Sequence, residues 1–388
     1  MLDFELSNEL KMIKEAIRTY CDKEIKPVAA ILDQSQEFQE EIFNHIFKGL
    51  AELGFLGLLV PEEYGGSGSD FFSVAIVLEE LGKVSPGFGF SYLAHTPVMA
   101  YSNIFVNGTE EQRQKYLRAM CRGEIIGANA VTEPDAGSDL FNIKTRAEEQ
   151  GEYFIINGSK TFITNARIAG VFYVLAKDEG TENRMSGFLV DRDSDGISIG
   201  EDMDKCGYRA SPTSQVFLED CRISKKNLLG KRGDGLRLTL SEIELQRIYL
   251  AHIATGLAEA ALEEAIKYAK GRIQFGHRIA DYQMIQSMLA DMATNVEVAK
   301  TMNYRAMWDY QKARETGKKE SSILALMAKR FASSSCLSVV LDAVQIHGSY
   351  GFIKEYPVER YYRDAKLLDI AGGTNEMLKL SIARILLK

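Results

Sequence analysis

The sequence is poor in the residues that build metal centres and disulfide frameworks. It has five cysteines and five histidines among 388 residues, and it contains no C-x-x-C pair and no H-E-x-x-H motif. Scattered thiols of this kind are expected to stay free in a reducing compartment. Without a clustered ligand set, no metal site is predicted.

A positive charge excess and long apolar runs are also absent. The net charge of −8, with no basic stripe, argues against a nucleic-acid-binding protein. No apolar run is long enough to cross a bilayer, and the start of the chain, Met1–Glu5, has no basic n-region, so neither a membrane span nor a signal peptide is predicted. A hydrophobic content of 46% and a charged content of 26% are typical of a globular protein, for which we expect a cytoplasmic location.

Helical periodicity dominates both ends of the chain. Apolar residues recur at helical spacing between Leu6 and Arg122, and Pro357 is the only proline between Leu236 and Leu387. The part between Ile125 and Gly230 instead has short β-rich runs separated by turn residues such as Asn157-Gly158. The pattern predicts an α+β chain, mainly α, with three domains. These are an N-terminal helical domain (1–122), a middle β domain (123–234) and a C-terminal helical domain (235–388).

Three separated motifs point to one family. The segment Ala130–Asp139 (AVTEPDAGSD) follows an apolar run and ends in small residues whose backbone N–H groups can approach a flat ring or a phosphate. Phe162–Asn165 (FITN) follows it, and Gln345–Phe352 (QIHGSYGF) lies near the C-terminus. In this order and spacing, the motifs resemble the flavin-dependent acyl-CoA dehydrogenase family, and the resemblance extends from Leu6 to Leu387.

The resemblance implies a fold, a cofactor and partners. The fold would be a barrel-like β domain between an N-terminal helical domain and a C-terminal four-helix bundle. The reaction would remove a proton and a hydride from an acyl-CoA thioester, and FAD would accept the hydride because no protein side chain can. An electron-transfer flavoprotein would then take the electrons. The family also implies a homotetramer arranged as a dimer of dimers.

The resemblance assigns FAD contacts residue by residue. Thr132 and Thr164 would bond the flavin ring near its N5 and O4 positions, and Phe162 would cover one ring face where many members have tryptophan. Arg272 would reach the pyrophosphate of a neighbouring subunit's FAD with its permanently charged guanidinium group. The full set of FAD residues is Val131, Thr132, Ser138, Phe162, Thr164, Arg272, Phe275, Gln283, Gln345, Gly348, Ser349, Thr374 and Glu376.

The acyl-CoA contacts are assigned in the same way. Glu244 and Arg247 would contact the pantetheine arm, although the family more often has aspartate at the first position. Ser138 would meet a pantetheine or phosphate oxygen. Tyr92 and His95, in the segment expected to line the acyl pocket, are equally expected as packing residues. The full set of substrate residues is Ser91, Ser138, Glu244, Arg247 and Gly373.

The sequence departs from the family at the catalytic base. Most members carry the proton-abstracting glutamate just before a Gly-Thr pair near the C-terminus, and this chain has Gly372 there. A second group, including the branched-chain enzymes, carries it immediately before the arginine equivalent to Arg247. This chain has Gln246 at that place, and an amide does not accept a proton at neutral pH. Glu376 is no substitute, because it lies about one helical turn beyond Gly372.

Three interpretations of this departure remain open. In the first, the chain dehydrogenates an alicyclic or branched acyl-CoA and the proton leaves to a different base; Ser91 lies in the right region but is not a base. In the second, Gln246 is an engineered Glu→Gln change in an ordinary branched- or short-chain dehydrogenase. In the third, the chain is a relative that keeps FAD for reduction, oxygen chemistry or binding alone. The first is the function that we predict.

Overall fold

The N-terminal region is helical in the computed structural model, which describes residues 6–35, 37–182, 184–317 and 323–387. Hydroxyl caps start three of its helices: Ser7 accepts a hydrogen bond from Leu10 N, Ser85 accepts one from Phe88 N, and Thr109 forms a capping box with Gln112. The helices are α1 (Asn8–Tyr20), α2 (Ala29–Gln34), α3 (Glu40–Glu52), α4 (Phe71–Val84), α5 (Pro86–Leu93), a π-helical segment (Ala94–Phe105) and α6 (Glu110–Cys121).

The middle region is a mixed β-sheet. Its strands are β1 (Gly127–Ala130), β2 (Arg146–Gln150), β3 (Tyr153–Thr164), β4 (Val171–Asp178), β5 (Met185–Asp191), β6 (Ile197–Asp202), β7 (Thr213–Ser224) and β8 (Leu228–Leu229). They pair in the order β6-β7-β3-β2-β4-β5-β8, and β1 pairs in parallel with β4. The predicted turn at Asn157-Gly158 is wrong. Those residues lie inside β3, where the register against β7 shifts between Ile156 and Gly158, because a glycine in a strand also suits a bulge.

The C-terminal region is a bundle of long helices. They are α7 (Gly235–Gly271), α8 (Gln283–Thr316), α9 (Ile323–His347), α10 (Pro357–Leu368) and α11 (Asn375–Leu386), and a short hairpin of β9 (Ile273–Gln274) and β10 (His277–Arg278) follows α7. These elements confirm the predicted α+β, mainly α fold.

Helix α7 also packs against the N-terminal region. A Cβ atom at Gly82 of α4 would lie 2.6 Å from the carbonyl oxygen of Ile253, and one at Gly256 would overlap the carbonyl of Glu79. The two glycines therefore let the backbones of α4 and α7 approach more closely than larger residues would allow. This contact fixes α7, which carries several predicted site residues, against the N-terminal helices.

One apolar segment of the described residues departs from the prediction that no run is long enough to cross a bilayer. Ile323–Phe352 is long and apolar enough to cross a membrane, but more than half of its apolar window is buried inside the protein, as in the core helix of a bundle. Within the described ranges, no group of three or more His, Cys, Asp or Glu residues could hold a metal ion. The five cysteines are free thiols, and only Cys206 is exposed.

Candidate active site

The first two motifs meet at the ends of strands β1 and β3. Thr132 follows β1, and its carbonyl oxygen accepts a hydrogen bond of 2.9 Å from Thr161 N. The ring of Phe162 is 67% exposed and its backbone φ is 56°, a conformation that a bulky residue rarely adopts. Thr164 is half-buried opposite Thr213 of β7. The structure therefore brings Thr132, Phe162 and Thr164 to one edge of the sheet.

A buried ion pair supports this edge. Lys160 Nζ lies 2.8 Å from Glu133 Oε1, and the two side chains are 0% and 4% exposed. The same ammonium group donates to Val131 O at 3.1 Å, and Glu133 accepts from Thr145 N at 3.0 Å. Burial lowers the pKa of Lys160 to about 8, although Glu133 opposes this. Burial raises the pKa of Glu133, but Lys160 and the hydrogen bonds outweigh it and hold that pKa below its usual value.

Ser138 is exposed on the loop that follows this ion pair. A bridge between Glu133 and Ala136 tightens the start of the loop. The position leaves the hydroxyl open to a ligand at the surface, so its assignment to FAD or to pantetheine stays a prediction.

A second group of predicted FAD residues lies at the far end of α7. The Arg272 guanidinium group is 5.5 Å from the centre of the Tyr350 ring, and Tyr268 stacks on His347 at 4.2 Å. Phe275 is 93% exposed at the tip of the β9–β10 hairpin. The other assigned residues here are all exposed: Gln283, Gln345, Gly348 and Ser349.

The turn before α11 is held by two cationic side chains. Arg247 Nε donates to Gly372 O at 2.8 Å, and the buried Lys329 Nζ donates to Gly373 O at 2.9 Å. Burial lowers the pKa of both groups, that of Lys329 to about 8. Thr374 caps α11, since its hydroxyl accepts from Met377 N.

Glu376 is exposed in the first turn of α11, where a hydrogen bond to its own backbone lowers the pKa of its carboxyl. It therefore remains a solvent-facing group in the described part of the chain. This placement agrees with our prediction that Glu376 does not replace the missing base.

Neither position of the family glutamate holds a carboxyl group. Gly372 has a φ of 67°, and a Cβ atom there would lie 2.6 Å from Leu250 Cδ1. The side chain of Leu250 thus occupies the space that a larger residue would need. Gln246 lies on α7 directly before Arg247 and is half-buried. Glu244, two residues before Gln246, is also half-buried.

The predicted acyl pocket is closely packed. Ser91 is fully buried, and its hydroxyl donates to Ser211 Oγ at 3.0 Å. Tyr92 donates to Phe55 O, and His95 Nδ1 accepts a hydrogen bond from Gly127 N. Burial lowers the pKa of His95 to about 4, so this imidazole is neutral near pH 7. Tyr92 and His95 therefore have the contacts of packing residues.

The structure adds Glu242, which the motifs do not single out. It lies on α7, four residues before Gln246, and is 2% exposed. Asn129 Nδ2 of β1 lies 3.1 Å from each of its carboxyl oxygens. The signal available in the sequence is the i,i+4 spacing to Gln246, which places both residues on one face of the helix.

The residues at the sheet edge fit a flavin. An exposed aromatic ring at Phe162 offers a stacking surface, and Thr132 and Thr164, both half-buried, are close to it in the sheet. Arg272 and the exposed Phe275 offer a charged group and an apolar face of the kind that a dinucleotide needs. These residues would therefore hold FAD, which would supply hydride transfer.

Comparison with known proteins agrees over the whole length of the chain. The models of the acyl-CoA dehydrogenase N-terminal, middle and C-terminal domains match residues 7–124, 128–221 and 233–387. The chain is 41% identical to the probable acyl-CoA dehydrogenase YngJ of Bacillus subtilis, with 100% of both chains covered. It is 40% identical to subunit CarC of the caffeyl-CoA reductase-Etf complex of Acetobacterium woodii, over 98% of this chain and 99% of CarC.

Another relative and two solved structures extend this result. Cyclohex-1-ene-1-carbonyl-CoA dehydrogenase of Syntrophus aciditrophicus is 38% identical over 99% of this chain and 91% of its own. Butyryl-CoA dehydrogenase from Megasphaera elsdenii superposes with a TM-score of 0.94 at 33% identity, covering 100% of both chains. An acyl-CoA dehydrogenase complexed with FAD from Bacillus anthracis also gives a TM-score of 0.94, at 34% identity, over 100% of this chain and 68% of that chain.

Proposed function

The chain belongs to the acyl-CoA dehydrogenase family and is an FAD-dependent oxidoreductase, and from this premise we propose that it oxidises an alicyclic or branched acyl-CoA without the usual glutamate. Within the cyclohexane- and cyclohexene-carboxyl thioesters, we favour the conjugated cyclohexene compound over its saturated counterpart. The proton would leave to a group other than a side chain at position 246 or 372.

The observation that carries this proposal is the chemistry of those two positions. Gln246 has no basic oxygen that accepts a proton at neutral pH. Gly372 has no side chain, and Leu250 fills the space beside it. Arg247 and Lys329 nevertheless bind the carbonyl oxygens of the turn at Gly372 and Gly373. These hydrogen bonds hold the turn through its backbone, so no carboxyl group at position 372 is needed to keep it in place.

Two relatives support different aspects of the chemistry. One acts on cyclohex-1-ene-1-carbonyl-CoA, by its name, which favours a conjugated ring as substrate. The other belongs to a caffeyl-CoA reductase-Etf complex, which favours an electron-transfer flavoprotein as the redox partner of this chain. In a conjugated thioester the acidic C–H bond lies further from the carbonyl group, so the proton acceptor must stand elsewhere.

The distance between the predicted acyl-CoA residues and the predicted FAD pyrophosphate residue favours an oligomer. Arg247 and Arg272 lie on α7 and at its end, and the 25 residues between them correspond to about 38 Å along the helix. The acyl-CoA residues on α7 and the predicted pyrophosphate residue at its end are therefore far apart along one helix. One site uses both groups if a second copy supplies the pyrophosphate residue, so at least a dimer is favoured on this ground, and the dimer of dimers stays what the family resemblance implies.

The test is anaerobic bleaching of the bound flavin. The purified protein would be mixed with butyryl-CoA, isobutyryl-CoA, cyclohexanecarboxyl-CoA and cyclohex-1-ene-1-carboxyl-CoA, and the same panel would be run on Gln246→Glu. We expect wild-type bleaching by the cyclohexene thioester and a gain of bleaching by the saturated thioesters in Gln246→Glu.

Two results would contradict this proposal. Bleaching by no thioester until Gln246→Glu is made would identify the chain as an ordinary dehydrogenase disabled at position 246. No bleaching in either protein, with FAD still bound, would point to a relative that keeps FAD without dehydrogenating acyl-CoA.

A further inference from the structure

We propose that Glu242 is the group that exchanges a proton with the acyl-CoA in this chain, in place of the missing glutamate. The inference rests on the proposed function, because it names the proton-transferring residue of the same site. It starts from the position of Glu242 on the face of α7 that carries Gln246.

The geometry places this carboxyl group next to the candidate site. Four residues separate Glu242 from Gln246, which is one turn of α7 and about 6 Å of helical rise. Its partner Asn129 lies on β1, three residues before Thr132, where the predicted flavin contacts begin. Glu242 thus joins the helix with the substrate residues to the strand that leads into the cofactor loop.

The surroundings of Glu242 differ from those of a structural ion pair. Its oxygens accept hydrogen bonds from the neutral amide of Asn129, which in turn lies 3.5 Å from Asn103 Nδ2. Thr239, one turn earlier on α7, bonds the hydroxyl of Tyr173 on β4. The hydrogen-bonding partner that the described residues give Glu242 is thus a neutral amide, and the phenol of Tyr173 interacts with its charge.

Several other buried carboxylates of the described residues are paired with a cation or a histidine, whereas Asp364 accepts a hydrogen bond from Tyr208 N and burial raises its pKa to about 7. Glu133 has Lys160 at 2.8 Å, and Glu79 has His252 at 2.7 Å. Burial without such a partner raises the pKa of Glu242 to about 8, and the Asn129 hydrogen bond only partly opposes this. A pKa near the working pH is what proton exchange requires, whereas a purely structural polar contact does not need it.

The proton transfer balances with the flavin as the two-electron partner. In oxidation, a substrate C–H bond would break and its proton would pass to a Glu242 oxygen, while bound FAD would take the hydride from a second carbon and a C=C bond would form. In reduction, Glu242 would return its proton to carbon, and FAD would supply the hydride. Because burial raises the pKa of Glu242, the fraction of Glu242 that can accept a proton, and with it the rate of oxidation, should rise with pH.

Deuterium exchange separates proton transfer from net oxidation. Holoenzyme would be incubated anaerobically in D₂O with cyclohexanecarboxyl-CoA and cyclohex-1-ene-1-carboxyl-CoA, and the recovered thioesters analysed by mass spectrometry and NMR. Glu242→Gln keeps an oxygen that accepts from Asn129 and should lower the exchange rate by about 100-fold or more, since loss of a positioned acid or base costs about 10²–10⁴-fold. Glu263→Gln makes the same chemical change on α7 at an exposed site and should leave exchange within about twofold of wild type.

Two further readouts do not depend on turnover. A difference infrared spectrum between about pH 6 and about pH 9 should show a carboxylic C=O band that disappears on ionisation in wild type and is missing in Glu242→Gln. Asn129→Ala keeps the carboxyl group but removes the hydrogen bond that lowers its pKa. It should therefore shift both the infrared titration and the pH profile of exchange to higher pH, whereas a merely structural role would leave the pH profile of exchange unmoved.

The outcomes distinguish this inference from the proposed function. If wild type bleaches and exchanges, and Glu242→Gln retains exchange within about twofold, Glu242 is not the proton-exchanging group and the proposed function stands. If wild type neither bleaches nor exchanges with any thioester, both fail. An unchanged exchange profile in Asn129→Ala, with FAD bound, also overturns the assignment.

Discussion

The buried Glu133–Lys160 pair gives the sharpest test of how the sheet edge with Thr132, Phe162 and Thr164 is stabilised. Lys160→Met replaces the ammonium group with an apolar end of similar length and leaves Glu133, 4% exposed, without its cation. Removing one partner of a buried pair typically costs about 3–5 kcal/mol, because the other charge stays desolvated. The lost bond to Val131 O adds to this, so we expect about 4 kcal/mol of lost stability.

A double-mutant cycle measures the coupling directly. Denaturant unfolding would be followed for wild type, Lys160→Met, Glu133→Gln and the double variant, with FAD release recorded by its fluorescence. The double variant should recover part of the loss, since it buries no unpaired charge. Weaker FAD retention is expected in Lys160→Met, because Val131 and Thr132 lose their support.

The matched control is Lys144→Met. Lys144 and Asp135 form an ion pair of 2.6 Å on the same loop, but both side chains are largely exposed. Exposed pairs contribute little, so no measurable change is expected. The reasoning would be refuted if Lys160→Met were as mild as Lys144→Met and kept its FAD.

Two other predictions concern stability. The pKa of Glu242 is about 8 in the folded chain, against an ordinary value of 4.5. Between these two pH values the folded chain holds a proton that the unfolded chain has released, so the folded state loses stability as the pH rises. Wild type should therefore lose about 2 kcal/mol more unfolding free energy than Glu242→Gln between about pH 6 and about pH 8. Equal pH dependence in the two denaturant midpoints would contradict this. Gly372→Ala should lower the free energy of unfolding by about 1 kcal/mol more than Gly317→Ala. Both glycines have φ near 67°, but only a Cβ atom at position 372 would contact Leu250. Equal unfolding midpoints for the two variants would show that the Leu250 side chain moves aside without a cost in stability.

The fold could be predicted from the sequence because its signals are local and repeated. Helical spacing of apolar residues extends over several turns in both end regions, and the shared motifs identify the family independently of any one element. The error at Asn157-Gly158 has a physical reason. The same dipeptide suits a hairpin turn and a strand bulge, and the choice depends on the pairing of β3 with β7, which is a long-range contact.

The site was predictable only where a motif names its residues. Thr132, Phe162 and Thr164 were expected together and lie together at the sheet edge. Glu242 could not be identified in advance, because its importance depends on the burial that surrounds it and on Asn129, 113 positions away in sequence. A charged residue on a long helix is usually solvated, and the sequence does not show which face of α7 is covered by β1.

The loss of the family glutamate leaves the site's framework intact because framework and proton transfer depend on different atoms. Arg247 and Lys329 bind backbone carbonyl oxygens at Gly372 and Gly373, so they hold the turn whatever side chain stands at position 372. Thr374 caps α11 through its own hydroxyl. The proton-transferring group, by contrast, needs only one carboxyl near the substrate with a suitable pKa. It can therefore move by one helical turn along α7, from position 246 to 242, without a change in the contacts that hold the turn before α11.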